Sequence, residues 1–378
     1  MAARPRAGRD DPRRRFHEPD WEPPIPGRRR VLTTWDEYMA MAKRIIERFD
    51  HQFDLNHFDY LHPVRLQRCA LRFRKQYPVK VAYTEWGDPA NPLVVCVGGV
   101  ANTAMRFNYL AADLESHFRV VCMDWVGRGR SGWMADQGDY SLATYAEQLR
   151  QMIDHVGGGP VILLGSSLGG SAAIELAAHH PKMVKQLILN DIGPFIPKKR
   201  RKRRSQTLAR HYVFRDPADL LRKIGASQKN DGPISDDIRF NVTFHQTKWS
   251  DEEGGRIYRH DVRALQAFRA DAQESLDQWR LWSKIHCPVL LIHGMISDAL
   301  LPPTIRQMKR SHNVTVMHVP DTGHTPVLSD RNQNWFIHEW LMGRAHAREW
   351  TVLHARPRDD AEKKKGPVRL ATKAGTAA

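Results

Sequence analysis

Residues 161–180 read VILLGSSLGGSAAIELAAHH, and this stretch decides the fold. The first four residues are an unbroken apolar run, the pattern of a strand buried on both faces. Gly165-Ser166-Ser167-Leu168-Gly169 follows, a G-x-S-x-G pentapeptide, and then a small-residue segment of helical character. A sharp strand-to-helix turn here would hold Ser167 on a strained backbone with its hydroxyl exposed. The flanking glycines would let strand and helix approach closely. The start of the helix would also present backbone N–H groups and a positive dipole end to an anion. The spacing therefore marks Ser167 as a candidate nucleophile.

Working outward, short apolar or β-rich runs occupy residues 64–73, 79–86, 93–97, 119–124, 161–164, 186–190, 289–293 and 314–319. Helical stretches at 107–116, 141–156, 169–180, 304–311 and 332–342 separate most of the later ones. This β-α alternation predicts an α/β fold with a mostly parallel, doubly wound sheet of eight strands. The rhythm breaks after the sixth strand. Residues 192–286 contain no clear strand, and Asp216-Pro217 opens a helix that Gly225 would close, with further helical pattern over 261–284. This interval reads as a helical cap inserted over the sheet. Residues 31–63 read as an N-terminal helical extension, opened by the capping box Thr34-Trp-Asp-Glu37 and packed on the main fold. The core is expected over residues 64–191 and 287–343.

A nucleophilic serine needs a base, and the base an orienting acid. Ligand sites in open α/β sheets lie past the carboxyl ends of the strands. His324 follows the last predicted strand in a Gly-His turn, and alone of the 19 histidines stands so placed. Two aspartates compete for the acid: Asp298, after the run 289–293, and Asp191, after 186–190. Asp298 is taken as the acid and Asp191 as the alternative. The oxyanion donors expected are the backbone N–H groups of Val100, in Gly98-Gly99-Val100-Ala101, and of Leu168.

From about Val79 to Met342 the chain resembles the α/β-hydrolase superfamily. The segments that carry the resemblance are DWVGRGRS (124–131), GSSLGG (165–170), LNDIGP (189–194), PVLLIHGMISD (288–298) and Gly323-His324. The wording of the 190–195 and 294–300 segments is most similar to a bacterial subgroup of small carboxylesterases that includes hydroxyalkanoate-oligomer hydrolases. The resemblance implies a lid after the sixth strand, where the long insertion falls. It implies a Ser–Asp–His mechanism on a small acyl substrate, with no cofactor and no metal ion. Thioesterases, lactonases, peptidases, perhydrolases and carbon–carbon bond hydrolases share the same machinery. An aspartate at position 167 would instead have indicated a dehalogenase or epoxide hydrolase. The family usually carries His-Gly after the third strand, where this chain has Gly98-Gly99. The basic segments are not family features.

Of the 378 residues, 58 are Lys or Arg and 42 Asp or Glu, a net charge of +16. The excess is local. Residues 1–30 carry +4, the run KKRRKRR at 198–204 carries +7, and residues 344–378 carry +5, so the remaining chain is formally neutral. This distribution argues against a nucleic-acid-binding body and leaves polyanion contact to the run and the two ends. Residues 1–30 and 344–378 read as a disordered basic arm and tail, and 198–204 as an extended basic loop whose charges repel. A catalytically weak hydrolase-like protein that binds polyanions through this loop is the reading from another class. No apolar run reaches the roughly 18–20 residues of a membrane span. The N-terminus lacks the apolar segment of a secretory leader. Cys69, Cys96, Cys122 and Cys287 show no CxxC spacing and suit a reducing, cytoplasmic setting.

Overall fold

The computed structural model describes residues 32–47, 49, 55–64, 75–208, 211–228, 230–311 and 313–355. The arm 1–30, Cys69 and residues 356–378 of the expected tail lie outside them.

The chain enters through α1 (Trp35–Ile46), capped as the sequence predicts: the Thr34 side chain accepts from the Glu37 N–H, and the Glu37 carboxylate accepts from the Thr34 N–H. Its buried face packs on the inserted region. Tyr38, Ala42 and Ile45 join Phe214, Leu220, Ile224 and Phe240 of the inserted region in a separate apolar cluster, so the extension buttresses the cap.

The central sheet has nine strands, one more than expected. In chain order they are β1 (Asn56–Val64), β2 (Lys75–Trp86), β3 (Leu93–Val97), β4 (Arg119–Met123), β5 (Val161–Ser166), β6 (Val184–Asn190), β7 (Val289–Gly294), β8 (Val314–Val319) and β9 (Glu349–Thr351). Across the sheet they lie in the order β1-β2-β4-β3-β5-β6-β7-β8-β9. Only the β1–β2 and β2–β4 pairings are antiparallel. The reversal of direction at β3 is the topological switch that opens a crevice at the strand ends.

Two expectations shift here. The first strand lies at 56–64, inside the expected helical extension, and the predicted run 64–73 falls almost wholly outside the described residues. The ninth strand lies inside the expected tail. It pairs parallel to β8 and is followed by the buried Val352, so short-range composition concealed an edge strand that only β8 could pair.

Helices cover both faces: α2 (Asn108–Leu114) and, near the C-terminus, Arg331–Leu341 on one side, α3 (Leu142–His155) and α4 (Leu168–His179) on the other. β5 and β7 are buried at every position, the double coverage their apolar runs require. Cys96 and Cys122 are buried opposite one another on β3 and β4 as free thiols. None of the described helices is long and apolar enough to cross a membrane.

The insertion after β6 carries helices α5 (Lys198–Leu208), α6 (Pro217–Ser227), α7 (Asp236–Gln246), α8 (Val262–Asp271) and α9 (Trp279–Trp282). α6 starts as predicted, with Asp216 capping and Pro217 in the first turn, but runs past Gly225 to Ser227. The region is not purely helical. Val213–Phe214, Gly255–Tyr258 and Thr247–Ser250 form a small antiparallel sheet, and Phe195–Ile196 pairs with Leu276–Asp277 to tie the two ends of the insertion together.

The basic run is the larger correction. Residues 198–204 are not an extended loop; they form the first seven residues of α5. Arg201 and Ser205, one turn apart, are buried against α8. Arg201 donates to the backbone carbonyls of Asp271 (3.1 Å) and Glu274 (2.7 Å) and pairs with the Asp271 carboxylate. A guanidinium at the C-terminal end of a helix satisfies orphan carbonyls and the negative dipole end together. Lys198 adds an ion pair to Glu274 at 3.3 Å. Self-repulsion within the run is therefore offset by partners distant in sequence, which no local reading could supply.

Candidate active site

Ser167 stands at the tip of the β5–α4 turn with φ +50° and ψ −114°, a backbone conformation that non-glycine residues rarely adopt. The turn is possible because its neighbours are small: a Cβ on Gly165 would come within 2.5 Å of the Gly169 carbonyl oxygen and 2.6 Å of the Gly170 Cα. As first residue of α4, Leu168 has a backbone N–H without an intrahelical acceptor, beside the serine. The loop after β3 approaches from the other side. A Cβ on Gly99 would lie 3.3 Å from that of Ser167. Gly99 donates its N–H to Asn102 Oδ1 (3.1 Å), and the Val100 carbonyl accepts from Arg128 Nε (2.6 Å). These contacts hold the Val100 peptide in the wall next to Ser167, while the buried Trp125 indole clamps the Gly98 carbonyl at 2.8 Å. Asn102, within this loop, and Arg128, reaching across from beyond β4, thus hold a segment where the sequence reading saw only backbone donors.

His324 lies beyond β8 in the turn before Thr325. Its Nε2 is 3.0 Å from Ser167 Oγ, and its Nδ1 is 2.8 Å from Asp191 Oδ2. Asp191, fully buried, accepts from the Gly294 N–H at 3.0 Å through Oδ1, and its Oδ2 also takes the Ser297 hydroxyl. Ser167, His324 and Asp191, brought from the ends of β5, β8 and β6, thus form one hydrogen-bonded row, the arrangement a nucleophile, base and acid would need.

The acid position corrects the expectation. Asp191, not Asp298, holds His324. Sheet register explains why: Ser166 pairs with Asn190, so Ser167 and Asp191 leave adjacent parallel strands at the same level. A positive φ of 54° at Asp191 turns its side chain toward the strand ends. Asp298 sits four residues beyond the end of β7, past a turn closed by the Ser297 N–H on the Gly294 carbonyl (2.9 Å). Its half-exposed carboxylate points to the cap, where it pairs with Arg200 (3.3 Å) and Arg203. Burial pushes the Asp298 carboxyl up, but these guanidiniums outweigh it and hold the group below the usual carboxylate range. Its neighbour Ser297, which the sequence reading missed, makes the contact with Asp191.

The cap closes over this edge. The Asn230 carbonyl accepts from the Gly323 N–H at 2.6 Å, next to His324. The buried Arg106 donates to the Thr325 carbonyl at 2.6 Å from the core side. Burial lowers the proton affinity of His324; Arg200 and Arg204 act the same way, while Asp191 opposes them, and the net shift is downward. This shift favours the neutral imidazole, the form a general base needs. Among the described residues, no group of three or more His, Cys, Asp or Glu side chains is placed to hold a metal ion.

Comparison with known proteins agrees with this architecture. A family model described as the alpha/beta hydrolase fold matches residues 91–330. The chain belongs to the α/β-hydrolase family. Within it, the chain is 33% identical over 265 residues to the 3-hydroxybutyrate-oligomer hydrolase of Cupriavidus necator, covering 67% of this chain and 90% of that protein. A crystal structure of a Rickettsia typhi protein described as a candidate hydrolase superposes with a TM-score of 0.70 at 25% identity, over 78% of this chain and all of that one. An α/β hydrolase from Novosphingobium aromaticivorans shares the fold, with a TM-score of 0.63 over 70% of this chain and 94% of that one.

Proposed function

We propose that this α/β hydrolase is a serine hydrolase that cleaves a carboxylic ester of a small molecule through an acyl-enzyme. The observation that carries the reading is the hydrogen-bonded relay Ser167–His324–Asp191, with both contacts of the imidazole at or below 3.0 Å. Ser167 Oγ attacks the ester carbonyl carbon while His324 Nε2 takes its proton. Negative charge builds on the carbonyl oxygen, where the Leu168 and Val100 N–H groups donate to it. The tetrahedral intermediate collapses, the imidazolium protonates the leaving alcohol, and an acyl-Ser167 ester remains. Water, deprotonated by His324, then attacks that ester and regenerates the serine. Asp191 keeps the Nδ1–H tautomer and stabilises the imidazolium.

The similarity to a 3-hydroxybutyrate-oligomer hydrolase favours short oligoesters of hydroxy acids as substrates. The test is labelling with an alkyl-phosphonate probe, with the site located by mass spectrometry, followed by an ester and thioester panel of increasing acyl length. Labelling at Ser167 with turnover of short esters supports the reading. A protein that resists the probe and turns over no ester refutes it.

A further inference from the structure

The turn that carries His324 is strained on both sides of it. Asp321 has φ +50° and Thr325 φ +58°, conformations that non-glycine residues keep only where the surroundings enforce them. At the far end, the Thr325 carbonyl takes the buried Arg106 at 2.6 Å. In the middle, the Thr322 carbonyl accepts from the Ile296 N–H at 3.0 Å, and the Gly323 N–H donates to Asn230. At the near end, where the chain leaves β8, the Pro320 carbonyl accepts from two donors, the Thr322 hydroxyl at 2.8 Å and His354 Nε2 at 2.7 Å. Of these partners, His354 alone comes from beyond residue 330, where the match to the family model ends.

His354 follows β9, and the chain on either side of it is tied down. The Val352 N–H donates to the His318 carbonyl (2.9 Å), Asn332 Nδ2 to the Leu353 carbonyl (3.1 Å), and the Ala355 N–H to Asp330 Oδ2 (2.8 Å). Asp330 also caps the helix Arg331–Leu341 through the Asn332 and Gln333 N–H groups. The His354 ring is mostly buried, and Gly232 of the cap lies against it and Thr322 together. A carbonyl can only accept, so Nε2 carries the proton in the neutral ring and in the charged one alike. Nδ1 faces the Gln333 amide at 3.4 Å and Asp330 Oδ2 at 3.8 Å. We propose that His354 is a positioning residue for the reaction: its bond to the Pro320 carbonyl fixes the Asp321 end of the turn and so keeps His324 Nε2 in line with Ser167 Oγ. This rests on the ester-hydrolase reading and adds to it a residue from the C-terminal edge of the sheet. An error of about 1 Å in the placing of a reacting group can cost about a hundredfold in rate.

The test uses replacements that divide the functions of the ring. His354→Gln can still present an N–H where Nε2 stands, whereas His354→Asn reaches only the Nδ1 position and leaves the Pro320 carbonyl without that donor. On p-nitrophenyl butyrate, His354→Asn should lower kcat about tenfold or more with KM within about threefold, and should slow phosphonate labelling of Ser167 by a similar factor, since both need the imidazole to take the serine proton. His354→Gln should stay within about threefold of wild type in both measurements. His354→Met, which fills the space without a donor, should behave as His354→Asn does and replaces it if that variant does not fold. Circular dichroism at the assay temperature establishes the fold of each. The role is overturned if the folded Asn or Met variant keeps the wild-type kcat, if His354→Gln loses as much as they do, or if only KM moves. Wild-type enzyme that neither takes the label nor turns over ester would instead overturn the ester-hydrolase reading itself.

Discussion

Replacing Asp191 by Asn tests which carboxylate serves the relay. Asn is nearly isosteric, so the Gly294 N–H can keep an oxygen acceptor at 3.0 Å. The other terminal atom becomes an NH2 group facing His324 Nδ1, now 2.8 Å from a carboxylate oxygen. Two donors cannot share that contact, so Nδ1 must become the acceptor and the ring proton moves to Nε2. Nε2 is the atom 3.0 Å from Ser167 Oγ that must take the serine proton. Catalysis then proceeds only through the disfavoured tautomer, and the loss in kcat should be about 10⁴-fold, or roughly 5 kcal/mol of transition-state stabilisation. Asp298→Asn breaks only half-exposed ion pairs to the cap and should cost less than about tenfold. The assay is p-nitrophenyl butyrate hydrolysis on both purified variants, with circular dichroism and thermal unfolding to establish the fold. If Asp298→Asn is the more damaging, or folded Asp191→Asn stays within tenfold of wild type, the assignment of the acid is wrong.

Ser167→Ala should lower esterase kcat/KM by more than about a thousandfold, and His324→Ala about as much, because nucleophile and base act as one unit; either variant near the wild-type rate would break the relay. The kcat/KM of wild-type enzyme should rise with pH as the imidazole loses its proton, with an inflection below the ordinary histidine value of 6.5, since burial, Arg200 and Arg204 lower the His324 proton affinity. Arg200→Gln removes a cation that disfavours the imidazolium, so its inflection should move upward; a downward move would contradict the geometry. Gly165→Ala forces a methyl to within 2.5 Å of the α4 backbone and should destabilise by about 1–3 kcal/mol or more, read as a lower urea midpoint with unchanged slope.

The apolar run at 161–164 and the G-x-S-x-G turn after it were legible because their cause is local. A strand buried on both faces must be apolar throughout, and an elbow that close to its helix must be built from glycines. His324 was legible for a related reason: it stands just past a strand of clear pattern. The acid was not. Asp191 and Asp298 both follow apolar runs, and what separates them is the pairing of Ser166 with Asn190 and the outward course of the chain after Gly294, neither of which has a local signature. The basic run misled for the same reason. Seven neighbouring cations repel within their own segment, and the forces that fold them into α5 come from the α8 C-terminus and from Asp271, Glu274 and Asp298, about 70 to 100 residues away. Local pattern thus determined the inner strands of the sheet, the elbow and the placing of Ser167 and His324 at the strand ends, whose physics is burial and turn geometry. Tertiary structure alone decided which carboxylate holds the imidazole and which charges surround it, because those depend on which distant groups the fold brings within a few ångströms.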